Sequence, residues 1–124
     1  MDILAEKISD SELEVMKLLW KAGEAVNATF IRESLQKSMG WEPTTIKTLL
    51  SRLVAKGAVL QEKRKVFYYT AAIGEKDYNS WATGRLIDRL YKGSAAAMVA
   101  ALVDSRGLSD ADIAELRRLF TVED

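Results

Sequence analysis

Apolar residues return along this chain at two different periods, and the change of period marks its parts. Leu13, Met16, Leu19 and Trp20 share one face at three- and four-residue spacing, and Val15 and Leu18 widen it. That predicts an amphipathic helix from about Ser9, stopped at Gly23, with Trp20 in the core where this helix meets the next. Ser9 with Glu12, or Ser11 with Glu14, fits a capping box, so either serine can open it. Asn27 is a good N-cap for a second helix reaching about Lys37 on Phe30, Ile31 and Leu35. The Ala25-Val26 pair before it can form a minimal strand. Met39-Gly40 leads to a third helix, where Pro43 suits the first turn and Gly57 a left-handed stop. Ile46, Leu49, Leu50 and Leu53 mark its apolar face.

After Gly57 the period shortens. Ala58 to Glu62 and Lys65 to Thr70 are rich in β-branched and aromatic residues, with Lys63-Arg64 between them. This predicts a hairpin with a basic tip, whose turn lacks the Gly or Asn that tight turns prefer. Three helices and then a basic hairpin make a winged helix-turn-helix, assigned to residues 1–72.

Residues 73–124 form a second, helical part. Glu75 to Tyr91 carries Tyr78, Trp81, Ala82, Leu86, Ile87, Leu90 and Tyr91, and Gly93 breaks it. Ser94 to Val103 is apolar almost all round, so it needs cover on every side. Gly107 breaks the chain again, and Ser109 with Asp112 caps a last helix whose face is Ile113, Leu116, Leu119 and Phe120. Three short helices cannot easily bury an apolar middle one by themselves. A second copy of the chain is the simplest cover, through Trp81, Leu86, Leu90, Tyr91, Met98, Val99, Leu102, Val103, Ile113, Leu116, Leu119 and Phe120. Folding back on the winged helix of the same chain is the alternative. The expected fold class is mainly α with a small β-hairpin wing: a winged helix-turn-helix DNA-binding domain plus a C-terminal helical dimerisation domain.

Composition removes most other functions. The 48% of hydrophobic residues suffices for a core, while Cys and His are both absent. No disulfide, thiolate metal site or His general base is available, and no Gly-rich phosphate loop occurs. An enzyme is therefore not expected, nor a cofactor. No apolar run approaches the ~20 residues that span a bilayer. The opening MDILAEKISD is acidic, unlike a signal peptide, so a cytoplasmic chain without membrane insertion is expected.

Charge adds what composition hides. The formal total is zero, yet residues 44–70 hold six Lys or Arg against Glu62 alone, a balance of +5. Residues 1–43 balance at −3 and residues 71–124 at −2. Within the positive segment the polar face of the third helix carries Thr44, Thr45, Lys47, Thr48, Ser51 and Arg52, with no acid from Thr44 to Gly57. Hydroxyls and cations opposite an apolar face suit the major groove of double-stranded DNA. Lys63, Arg64 and Lys65 suit the sugar–phosphate backbone. The plainer accounts are a solvated helix face and a charged edge that blocks sheet aggregation. A winged helix that docks a protein instead of DNA is the rival function.

Taken together, Glu14-Val15-Met16 with Leu19-Trp20, Trp41, the run from Thr44 to Leu53, Lys56-Gly57, Tyr68-Tyr69 and Leu90 to Gly93 resemble the penicillinase-repressor family of winged-helix regulators (BlaI/MecI and the copper-responsive CopY branch). The resemblance covers nearly the whole chain. It implies a homodimer that blocks transcription from a palindromic operator built around TACA/TGTA half-sites. The copper-responsive branch senses metal through paired cysteines, which this chain lacks. In the β-lactam-responsive branch a signal-coupled membrane sensor protease cuts within the dimerisation helices. The matching stretch is Ala100 to Val103, with Ala101 and Leu102 flanking the candidate cut, and it lacks the Asn–Phe pair of some relatives. The tip of the wing also lacks the Gly common in relatives.

Overall fold

The computed structural model describes residues 8–121. The acidic MDILAEK segment lies outside the described residues. Three helices come first: α1 (Asp10–Ala22), α2 (Ala28–Met39) and α3 (Pro43–Lys56). A strand β1 (Val26–Asn27) separates α1 from α2, and β2 (Val59–Lys63) and β3 (Phe67–Ala71) follow α3. The chain continues as α4 (Glu75–Tyr91), α5 (Ala95–Asp104) and α6 (Asp110–Thr121). It divides into two compact units between Ala82 and Thr83, within α4. Among the described residues no helix is long and apolar enough to cross a membrane.

Local chemistry sets each boundary. Ser9, not Ser11, opens α1: its hydroxyl accepts from the Glu12 N–H at 3.2 Å, and the Glu12 carboxylate accepts from the Ser9 N–H at 2.9 Å. Asn27 caps α2 by accepting from the Phe30 N–H at 2.8 Å. Gly57 stops α3 at φ 81°, a left-handed conformation that a side chain would strain.

The three strands form one antiparallel sheet in the order β1-β3-β2. β1 sits one residue later than the Ala25-Val26 pair, because Asn27 pairs with Tyr68 while also capping α2. That double use ties the start of α2 to the wing. The hairpin strands also shift, so the tip is Arg64-Lys65-Val66, closed by the Arg64 N–H donating to the Val66 carbonyl at 3.0 Å. None of these tip residues has a positive φ. A three-residue turn thus closes without the glycine that a two-residue turn would demand.

The core of the first unit lies where the apolar stripes meet: Val15, Met16 and Leu19 from α1, Ile31 and Leu35 from α2, and Ile46, Leu49, Leu50 and Leu53 from α3. Val59, Tyr69 and Ile73 close it from the wing side. Each buried aliphatic side chain contributes about 1.5–3 kcal/mol, so α3 is held mainly by its four. Trp20 is half-buried against this core, and its hydrogen-bond and ring partners lie after the wing. Its indole N–H donates to the Ile73 carbonyl at 2.8 Å, and its ring packs on Tyr78 at 5.8 Å between centroids.

The second unit has a different character. No residue from Thr83 to Thr121 is buried, and Leu86, Leu90, Val99, Leu102, Val103, Ile113, Leu119 and Phe120 are exposed. Phe120 is the extreme, at 77%. Ser94 caps α5 through the Ala97 N–H, and Ser109 and Asp112 form the reciprocal cap of α6.

Candidate nucleic-acid interface

The buried stripe of α3 fixes which way its other residues face. With Ile46, Leu49, Leu50 and Leu53 inward, Thr44, Thr45, Lys47, Thr48, Ser51 and Arg52 are all exposed. Thr48 turns its hydroxyl back to the Thr44 carbonyl at 2.9 Å, so its proton is already used within the helix and its oxygen stays free to accept. Thr44, Thr45, Thr48 and Arg52 line one shallow pocket on this face. Glu42 is the N-cap residue but makes no side-chain cap bond. The first N–H groups of α3 therefore keep their capacity for an outside acceptor.

The wing supplies a second cationic element. Lys63 Nζ sits 4.9 Å above the Phe67 ring, its cross-strand neighbour. The Arg64 guanidinium lies 4.2 Å over Tyr68 and reaches Glu62 at 3.2 Å. Lys65 stands at the tip, exposed and without an ion-pair partner among the described residues. Two of the three wing cations thus lean on aromatic faces, which orders them while leaving them exposed.

A cleft of about 470 Å³ joins the two elements. Its floor includes Ile46, Leu50, Phe67 and Tyr69; Thr44, Lys47, Ser51 and Gln61 edge it, along with Arg32 from α2. Gln61 is held across the sheet by its Nε2 donating to the Tyr69 hydroxyl at 3.0 Å. Arg32 is absent from the reading of the sequence, which considered α2 only for its apolar positions. The signal was available, since Arg32 lies one turn beyond Ala28, on the opposite side of α2 from Phe30.

One cation of the positive segment points elsewhere. Lys56 Nζ lies 2.5 Å from Oε1 of Glu12, which is 1% exposed. Burial would raise the pKa of this carboxyl. The Lys56 hydrogen bond, the Ser9 N–H and the Lys56 charge outweigh that and hold it below its ordinary value. Lys56 therefore balances an internal charge, and the outward cations of the segment are Lys47, Arg52, Lys63, Arg64 and Lys65. Among the described residues no group of His, Cys, Asp and Glu could hold a metal ion.

The expected dimerisation residues divide between the two units. Trp81 falls in the first, where it continues the row Trp20–Tyr78–Trp81 at 6.2 Å from Tyr78. Leu86, Leu90, Tyr91, Met98, Val99, Leu102, Val103, Ile113, Leu116, Leu119 and Phe120 fall in the second, none of them buried. Ala101 and Leu102 lie within α5.

Residues 8–121 match the family described as Penicillinase repressor. The chain belongs to that family. A penicillinase repressor of Bacillus licheniformis is 39% identical over 115 residues, covering 92% of this chain and 89% of the relative. The methicillin resistance regulatory protein MecI of Mammaliicoccus sciuri is 35% identical over 121 residues, covering 97% and 98%. The solution structure of the DNA-binding domain of the repressor BlaI matches with a TM-score of 0.54 at 46% identity, over 58% of this chain and 88% of that one. The solution structure of monomeric Bacillus licheniformis BlaI in complex with the blaP half-operator matches with a TM-score of 0.52, at the same identity and coverage. The first unit is therefore a winged helix of the penicillinase-repressor type.

Proposed function

We propose that this protein is a homodimeric transcriptional repressor that binds double-stranded DNA at a palindromic operator with TACA/TGTA-like half-sites. The carrying observation is the acid-free, fully exposed polar face of α3 beside a cationic wing, on a fold matched by a half-operator complex. In this reading Thr44, Thr45, Lys47, Thr48, Ser51 and Arg52 meet the major groove, and Lys63, Arg64 and Lys65 meet phosphates. Helices α4 to α6 pair two copies through their exposed apolar residues. Two reading helices then meet half-sites about 34–36 Å apart, or a multiple of that.

Release follows when a signal-coupled membrane sensor protease cuts α5 between Ala101 and Leu102. What supports that step is the shortness of α5, since a ten-residue helix is marginal by itself and can open into the extended form a protease needs. The protein acts in the cytoplasm, without a cofactor and without catalysis of its own.

A gel shift against genomic fragments with excess nonspecific DNA tests the reading. Retention of discrete fragments carrying paired half-sites is expected. Uniform binding, or none, leaves the winged helix as a protein-docking module instead.

A further inference from the structure

A groove runs between α1 and α2, lined by residues of those two helices alone. Its floor is apolar: Leu18 and Ala22 from α1, Phe30 and Leu35 from α2. Lys17, Lys21 and Lys37 stand around it, with Glu14 the sole acid, and Glu14 is taken up by Lys17 at 3.4 Å. Lys21 and Lys37 have no ion-pair partner among the described residues.

Phe30 is 44% exposed in this groove. Its backbone N–H serves the Asn27 cap, a task any residue but proline could perform, so the local fold does not call for an aromatic ring there. The groove also stands apart from the DNA face. Phe30 and Arg32 are two residues apart on α2, so they point about 200° from one another around its axis. Arg32 lines the cleft beside Lys47, and Phe30 faces the other way.

We infer that this groove docks an acidic amphipathic helix of a partner protein. An apolar stripe at i, i+3, i+4 and i+7 would lie along Leu18, Phe30 and Leu35, with carboxylates on both flanks toward Lys17, Lys21 and Lys37. Phe30 is the central anchor, as exposed aromatics commonly are in such interfaces. Charge complementarity selects the occupant, because the groove offers cations and almost no acid. A phosphate backbone would use the lysines but would gain nothing from the apolar floor. The partner can sit on the repressor while α3 and the wing remain on DNA.

Fluorescence anisotropy on the full chain tests this with two labelled helical peptides. Both carry Leu at the spacing above; one has Glu at its polar positions and the other Lys. The Glu peptide should bind, and the Lys peptide should not. Phe30→Asp and the pair Lys21→Glu with Lys37→Glu should each weaken the Glu peptide by about tenfold or more. Both variants should keep the DNA affinity and circular dichroism of the original chain. Equal binding of the two peptides, or no binding of either, overturns the proposal. So does displacement of the Glu peptide by random-sequence DNA, which would make the groove a phosphate surface. Self-association that Phe30→Asp abolishes would also overturn it, by making a second copy the occupant.

Discussion

The Glu12 carboxylate serves two neighbours through one oxygen: the Ser9 N–H at the start of α1 and Lys56 at the end of α3. The pair clamps the last turn of α3 to α1. Lys56→Met would leave a buried carboxylate with only its capping partner, at a cost of about 3 kcal/mol readable by urea denaturation. The pH dependence follows from the lowered pKa of Glu12. Its stabilisation is complete above the unfolded value of about 4.3 and is lost as pH falls through the lower folded value. Glu12→Gln should therefore show a flatter acid limb than the original chain in denaturation curves below about pH 4.3. The capping half of this role was legible in the Ser9–Glu12 spacing. The clamp was not, because Lys56 is 44 residues away and reads locally as a helix-end cation. Arg52 behaves differently: it is exposed and makes no ion pair among the described residues. If it reads a base, Arg52→Ala should cost about 1–3 kcal/mol on the operator and relax one position in a binding-site selection, with folding stability unchanged.

Among the elements, α3 was the most legible and the wing the least. Pro43, Gly57 and four apolar residues at helical spacing bound α3 with little help from the rest of the chain. The wing depends on cross-strand partners, so its register and tip emerged only with the sheet. The stacking of Lys63 on Phe67 and of Arg64 on Tyr68 is beyond what a charge balance can anticipate. Replacing Lys63, Arg64 and Lys65 together by Ala should weaken binding to every DNA sequence alike. The slope of log K against log salt should become shallower by about 0.9 for each phosphate that is no longer neutralised. A filter-binding series over salt concentration measures this. An unchanged slope would remove the wing from the phosphate surface.

For the molecule as a whole, the chain divides into compact units between Ala82 and Thr83, inside α4, which runs unbroken through the division, so no change of period in the sequence marks it. Trp81, an expected pairing residue, also continues the aromatic row from Tyr78 within its own chain. Leu90→Asp with Phe120→Asp should give a monomer by analytical ultracentrifugation, with half-site binding retained. Affinity for the paired operator should fall about 10²- to 10⁴-fold, since the second half-site no longer benefits from tethering. A unit in which no residue from Thr83 to Thr121 is buried has one more consequence. In the proposed dimer its stability would be governed by mass action: diluting the protein should melt α5 and α6 as well as separate the copies. Operator occupancy at low copy number would then fall with the square of the protomer concentration, making repression steep in the amount of protein a cell holds.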